Sequence, residues 1–188
     1  MLRIITGKAR GVRIDTLEGD DITRPTAEKV KEAIFSMIQF EIEGARVLDV
    51  FSGSGQLALE ALSRGASYAV MGDHSPEAVN VIRKNAQKAR LAENTRILNV
   101  DYKNLIKSLE KRERFNIVFI DPPYASGFAE DALKRIMRAD ILAPNAILIC
   151  ESDSPEPKLC EGLEMRKFAK YGRVYVTVLE YKDFEAEQ

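Results

Sequence analysis

Two short segments hold the residues best suited to chemistry. The first is Val47-Leu48-Asp49-Val50-Phe51-Ser52-Gly53-Ser54-Gly55-Gln56-Leu57-Ala58, an apolar run followed by a glycine-rich turn and a helix start. Gly53, Gly55 and Ala58 fit the G-x-G-x-x-[GA] pattern of nucleotide-binding turns, and Asp73 follows Gly53 by twenty residues, where such folds place the acid that holds a ribose. Nicotinamide, flavin and other nucleotide sites share that pattern. Asp49 narrows it, because a carboxylate at the strand end, just before Phe51, Ser52, Gly53, Ser54 and Gly55, would repel the pyrophosphate of a dinucleotide. A ligand with a cationic end suits it better. S-adenosylmethionine offers an ammonium, a sulfonium and two ribose hydroxyls for Asp73. Asp49 also has a purely structural reading, as a cap for the amides of the turn. Asp101, just after the run Thr95–Val100, is placed either to accept from an adenine amino group or to cap the helix that follows.

The second segment is Asp121-Pro122-Pro123-Tyr124, which ends the apolar run Asn116–Ile120. Two prolines fix φ and remove two backbone donors, so the local carbonyls stand as unopposed acceptors. A carboxylate and a carbonyl together can accept both hydrogens of an exocyclic amine. Such an amine is a poor nucleophile because its lone pair is delocalised into the ring. Accepting its hydrogens favours a pyramidal nitrogen and stabilises the positive charge that develops as a methyl group arrives, an effect typically worth about 10² to 10³ in rate. Tyr124 would give the base a stacking face. The corner also reads as a proline-rich turn with Asp121 as a helix cap.

These segments need elements to hold them. Arg46–Val50, Tyr68–Gly72, Thr95–Val100, Phe115–Ile120 and Ala146–Cys150 read as strands. Between them Gln56–Arg64, Pro76–Arg90 with Ser75 as N-cap, Tyr102–Lys111 and Ser126–Ala139 read as helices. Alternation of this kind implies a parallel, doubly wound sheet that binds ligands at the carboxyl ends of its strands. Glu164–Ala169 and Arg173–Tyr181 then read as a closing hairpin at the sheet edge. Ahead of the sheet, Thr26 reads as the N-cap of a helix carrying Val30, Ala33, Ile34, Met37 and Ile38 on one face. The first fifteen residues, punctuated by Gly7 and Gly11, read as a short strand pair.

Composition bounds the partners. The chain has 188 residues, 45% hydrophobic and 30% charged, and its formal net charge of -1 excludes a uniformly basic coat or an acidic tail. Arg3, Lys8, Arg10 and Arg13 nevertheless put a local charge of +4 between Met1 and Ile14, with no acid among them. They are the candidate contacts to a phosphate backbone, with Arg24 beside them; Arg24 and Thr26 either line the cofactor cleft or only start their helix. Uncharged stretches reach only ten residues, too short to span a bilayer, and the opening residues lack the apolar core of a signal peptide, so a cytoplasmic location is expected. Cys150, Cys160 and His74 make a poor zinc set, and no metal is expected.

The chain resembles the bacterial small-subunit ribosomal RNA guanine-N2 methyltransferases of the RsmD type. The resemblance rests on Arg24-Pro25-Thr26 followed by Val30, Glu32 and Phe35, on Leu48 to Gly55 with Leu59-Glu60-Ala61-Leu62-Ser63-Arg64-Gly65-Ala66, and on Asp121-Pro122-Pro123-Tyr124. It implies an α/β fold: a Rossmann-like class I S-adenosylmethionine-dependent methyltransferase with a doubly wound, mostly parallel seven-stranded sheet, its last strand antiparallel, and a short N-terminal hairpin and helix extension. It also implies methyl transfer to N2 of one guanine in 16S rRNA, within assembled or assembling small subunits. The expected layout is one domain over 1–188, with a basic β extension at 1–25, a leading helix at 26–43 and the core at 44–188. The family usually has Glu at the ribose position, and Asp73 is one methylene shorter.

Three rivals remain from the residues alone. Adenine-N6 methylation uses the same corner, although DNA enzymes of that kind usually carry a further recognition domain. Asp49 disfavours a nicotinamide-dependent oxidoreductase. A non-enzymatic RNA-binding module would have no use for Asp121.

Overall fold

The computed structural model describes residues 2–17, 24–123 and 127–182. Two strands, β1 (Leu2–Arg3) and β2 (Arg13–Ile14), pair antiparallel and precede helix α1 (Arg24–Met37). The alternation then follows as β3 (Arg46–Asp49), α2 (Gln56–Ser63), β4 (Tyr68–Asp73), α3 (Pro76–Lys88), β5 (Thr95–Asn99), α4 (Tyr102–Leu109), β6 (Phe115–Ile120), α5 (Phe128–Ala139) and β7 (Leu142–Ser152). A hairpin of β8 (Leu163–Tyr171) and β9 (Val174–Tyr181) completes the described chain.

The large sheet runs β5-β4-β3-β6-β7-β9-β8. The strands from β5 to β7 are mutually parallel, and β9 runs antiparallel to both β7 and β8. This is the expected doubly wound, seven-stranded, Rossmann-like sheet. Chain order reverses between β3 and β6, and that switch point opens the crevice in which such sheets bind ligands. The two chemical segments follow those two strands, which are hydrogen-bonded neighbours.

Each sheet face has its own apolar core. One joins α1, α2, α3 and the N-terminal pair through Ile34, Phe35, Leu59, Ile82 and Ile4 to Val47, Phe119 and Ile149. The other joins α4 and α5 through Leu105, Leu109, Leu133 and Ile136 to Leu48, Val118 and Leu148. Residues alternate between the two cores along each strand, as the period of two demands.

The structure departs from the sequence reading at element ends. Helix α1 already begins at Arg24, so Thr26 is its third residue and not its N-cap; Pro25 near the start has φ suited to a first turn. Helix α3 does begin in the expected manner, with the Ser75 hydroxyl accepting from the Ala78 amide at 3.3 Å. It stops at Lys88, two residues early, and Arg90 has left-handed φ of 56°. Strand β7 begins four residues before Ala146, because a register shift against β6 absorbs Pro144 and Asn145, and the polar break had hidden the first part of the strand. The expected helix start at Ser126 lies outside the described residues. Strand β8 is the sheet edge, and exposed Arg166, with Lys167 and Lys170 on the same strand, guards it against pairing with other chains. Among the described residues, no helix is long and apolar enough to cross a membrane.

Candidate active site

The glycine loop is shaped for close approach by a ligand. Gly53 and Gly55 have φ of 53° and 77°, values that side-chain-bearing residues adopt with strain. A Cβ on Gly53 would meet nothing within 4 Å, so the space over this residue is open. Helix α2 begins just after Gly55 and has no side-chain cap, so the amides of its first turn have no partner within the helix. Below the loop, the Ser52 hydroxyl donates to the Asp49 carbonyl at 2.9 Å and the Gly55 amide to the Ser52 carbonyl at 2.6 Å.

Asp49 is only 1% exposed, yet neither of its carboxylate oxygens has a hydrogen-bond partner. The Ala58 amide and Ser52 hydroxyl come near enough to stabilise its charge somewhat, without hydrogen-bond geometry. Burial dominates, the charge of Asp121 adds to it, and the carboxyl is pushed up to about 7. A buried, unpartnered acceptor costs roughly 1 to 3 kcal/mol, more if charged, so the site is built for a donor supplied from outside. An orphan carboxylate beside uncapped helix amides is the set that an α-amino acid group requires: an acceptor for its ammonium and donors for its carboxylate.

Asp73 closes the loop from the side. Its Oδ2 accepts from the Gly53 amide and its Oδ1 from the Ser75 amide, both at 2.9 Å, with His74 at 3.5 Å from Oδ1. Each oxygen keeps a further lone pair for a hydroxyl. Asp101 caps α4: it accepts from the amides of Lys103 and Asn104 and from the Asn104 side chain, and these bonds lower its pKa. Phe51 joins a row of rings, 5.0 Å from Tyr102, which is itself 5.7 Å from Phe128. The Tyr102 hydroxyl donates to Asp131 at 2.7 Å, and burial together with that bond pushes its pKa up to about 12. The sequence reading missed Tyr102 and Phe128; their one local signal is an aromatic residue at the first turn of a helix that follows a strand.

Asp121 directly follows β6. Phe119, two residues earlier, pairs with Asp49, so the two carboxylates sit at the ends of adjacent strands. Pro122 is half-buried and Pro123 exposed; Tyr124 lies outside the described residues, as do the side chains of Arg24 and Thr26. Glu151 is a third carboxyl at this edge that the sequence reading did not select. It is half-buried, and desolvation, then the charges of Asp121 and Asp49, raise its pKa well above the usual range. Its signal was available: like Asp49 and Asp121, it is the first acid after a buried strand run. Cys150 before it is fully buried, and burial pushes its thiol up to about 12. Among the described residues, no group of three or more His, Cys, Asp and Glu side chains is arranged to hold a metal ion.

The basic residues of the first segment face outward. Arg3 lies 3.6 Å from Glu28. Lys8, with its amide bonded to the Ser63 carbonyl at 2.8 Å, stands at the end of α2 farther from the glycine loop, and Arg10 belongs to the same turn. This segment is bolted to the fold by buried polar groups. Glu60, fully buried on α2, accepts from the amides of Ile5 at 2.8 Å and Thr6 at 3.0 Å and pairs with Lys31 at 3.3 Å and Arg64 at 2.8 Å. Lys31 also donates to the Arg3 carbonyl at 2.6 Å. Buried Asn85 accepts from the Asp15 amide and donates to the carbonyls of Asp15 and Ser54, all at 2.9 Å, so it ties the segment to the glycine loop.

Comparison with known proteins matches residues 2–180 to the family described as Conserved hypothetical protein 95. A Bacillus subtilis protein, YlbH, named as a candidate rRNA methyltransferase, is 32% identical over 180 residues, covering 94% of this chain and 97% of the relative. The ribosomal RNA small subunit methyltransferase D of Haemophilus influenzae is 32% identical over 157 residues, covering 83% of this chain and 81% of the relative. A solved Escherichia coli structure, described as a candidate methyltransferase, superposes with a TM-score of 0.86 at 30% identity, covering 96% of this chain and 98% of that one.

Proposed function

The chain belongs to the conserved hypothetical protein 95 family, the RsmD family, and from that premise we propose that it transfers a methyl group from S-adenosylmethionine to the exocyclic N2 of a guanine in the 16S rRNA of the small ribosomal subunit. The observation that carries this reading is the buried, unpartnered carboxylate of Asp49 beside the Asp121 corner. It calls for a cationic ligand end next to an amine-accepting site. The names of the relatives support an rRNA methyltransferase.

S-adenosylmethionine supplies an electrophilic methyl group on a sulfonium. Asp49 accepts from its ammonium, and the uncapped amides of α2, reached across Phe51, Ser52, Gly53, Ser54 and Gly55, face its carboxylate. Asp73 holds the ribose with the lone pairs left over from Gly53 and Ser75. Phe51 and Asp101 are assigned to the adenine side. Asp121 and the Pro122 carbonyl accept the two N2 hydrogens, with Pro123 fixing the turn and Tyr124 stacking on the base. This turns the nitrogen lone pair toward the methyl group. With the methyl group delivered from that sulfonium, which would leave as a neutral thioether, positive charge would grow on nitrogen, and Asp121 would stabilise it and take the proton released. The target base must leave its stack to reach the corner. Arg3, Lys8, Arg10 and Arg13 meet the phosphate backbone.

Small-subunit rRNA from cells lacking the protein should lose one N2-methylguanosine, and the purified protein with S-adenosylmethionine should restore it. Asp121→Ala should lower transfer by about 10² to 10³ or more and keep cofactor affinity within a few fold. Full turnover by this variant, or restoration of N6-methyladenosine instead, overturns the reading.

A further inference from the structure

Glu151 occupies the place beside Asp121 where a third acceptor for the target base would stand. Cys150 pairs with Ile120, so the next residues, Glu151 and Asp121, lie level on neighbouring parallel strands, and such strands run about 4.8 Å apart. Ile149, Phe119 and Val47 belong to one apolar core, whereas Cys150, Ile120 and Leu48 belong to the other. The alternation therefore sets Glu151 and Asp121 side by side on one face, at the carboxyl ends of β7 and β6, with Asp49 on the same face of β3 two residues lower, level with Phe119. The influence of Asp121 and Asp49 on the Glu151 carboxyl agrees with that closeness. Buried Asp49, with both oxygens unpartnered, marks this face of the strand ends independently as one that meets a ligand.

Resting on the guanine-N2 reading above, we propose that Glu151 reads the target base, accepting the N1–H of guanine while Asp121 and the Pro122 carbonyl accept the N2 hydrogens. Guanine presents three hydrogens side by side, one on N1 and two on N2. Adenine presents two on N6, flanked by the bare lone pair of N1. Asp121 and the proline carbonyl serve either amine equally, so the corner alone does not choose between them. An ionised carboxylate next to Asp121 does choose: it completes the guanine edge and faces the adenine N1 lone pair with repulsion. A cationic ligand end at Asp49 and an N–H donated by the base both favour the ionised form, against the burial that disfavours it.

The test compares two substrates of the same enzyme preparation. The guanosine methylated by the wild-type protein is first mapped by mass spectrometry in small-subunit rRNA, then replaced by 2-aminopurine riboside, which keeps the 2-amino group but has an acceptor at N1. The wild-type protein should prefer guanosine in kcat/KM by about 10- to 100-fold, the discrimination expected of one well-placed hydrogen-bonding pair. Glu151→Gln should bring the ratio close to one, losing rate on guanosine and gaining on 2-aminopurine, because its amide can donate to N1. Glu151→Ala should lose on guanosine without that gain. Taking a ratio within one preparation cancels any loss of folded protein. A ratio unchanged in Glu151→Gln overturns the role of Glu151 and leaves the guanine-N2 reading standing. Failure of the wild-type protein to form N2-methylguanosine overturns both.

Discussion

Asp49 ends β3, Asp121 directly follows its hydrogen-bonded parallel neighbour β6, and the charge of Asp121 adds to burial in holding the Asp49 carboxyl up at about 7. Two acids that oppose each other's ionisation make a costly pair by themselves and a favourable one when positive charge arrives.

Stability should therefore fall with rising pH in the ligand-free protein. The Asp49 pKa moves from 3.8 to about 7 on folding, so between those values the folded chain binds more protons than the unfolded chain, and raising the pH through the window favours unfolding. Glu151 shifts in the same direction. Asp49→Asn should raise the melting temperature clearly more at pH 8 than at pH 5, where only the lower part of that window has been crossed, as measured by scanning calorimetry. Equal shifts at the two pH values would contradict this origin.

Glu60 should be among the costliest positions to truncate outside the crevice. Its removal leaves Lys31 buried without its acid and the amides of Ile5 and Thr6 without acceptors. Breaking a buried pair by losing one partner typically costs about 3 to 5 kcal/mol, and Glu60→Ala should lose that much in urea unfolding. A loss below about 1 kcal/mol, the range of surface pairs, would show the cluster to be far less committed than its burial indicates.

Gly7 and Gly11 have similar φ, 88° and 84°, but different surroundings. A Cβ on Gly7 would fall 1.8 Å from the Ser63 carbonyl oxygen, whereas one on Gly11 meets nothing within 4 Å. Gly11→Ala should cost only the left-handed strain of about 1 to 2 kcal/mol. Gly7→Ala should cost clearly more and should expose the segment before β2 to proteolysis, because the backbone must leave α2. Comparable melting temperatures for the two variants would refute the close approach.

If the proposed RNA contacts hold, the basic residues of the first segment should set the salt dependence of RNA binding. Reversing the charge of Arg3, Lys8, Arg10 and Arg13 should weaken affinity for small-subunit rRNA and reduce the slope of log affinity against log salt by about 0.7 for each single-strand phosphate that is no longer neutralised. A slope that does not change would place the RNA backbone elsewhere.

How much of this was legible beforehand depends on how local each feature is. The strands and helices of the sheet were readable because hydrophobic period and turn chemistry are written within a few residues: Ser75-Pro76 starts α3, and Gly53 and Gly55 bend the chain after β3. The two chemical segments fell on adjacent strands because an α/β alternation admits few sheet orders. The start of α1 and the early part of β7 were missed where a proline or a left-handed asparagine masks the pattern.

The sequence alone determined that a carboxylate precedes a glycine turn on one central strand and that a proline-locked acceptor corner follows its neighbour. Only the tertiary structure decided that Asp49 is buried without a partner, that Asp73 braces Gly53, that Glu60 anchors the N-terminal segment and that Glu151 stands level with Asp121. Those facts depend on the register between strands and on which side chains are cut off from water. Residues far apart in the chain, such as Ile5 and Glu60 or Asp121 and Glu151, are brought together by packing, and no local pattern encodes the distance between them.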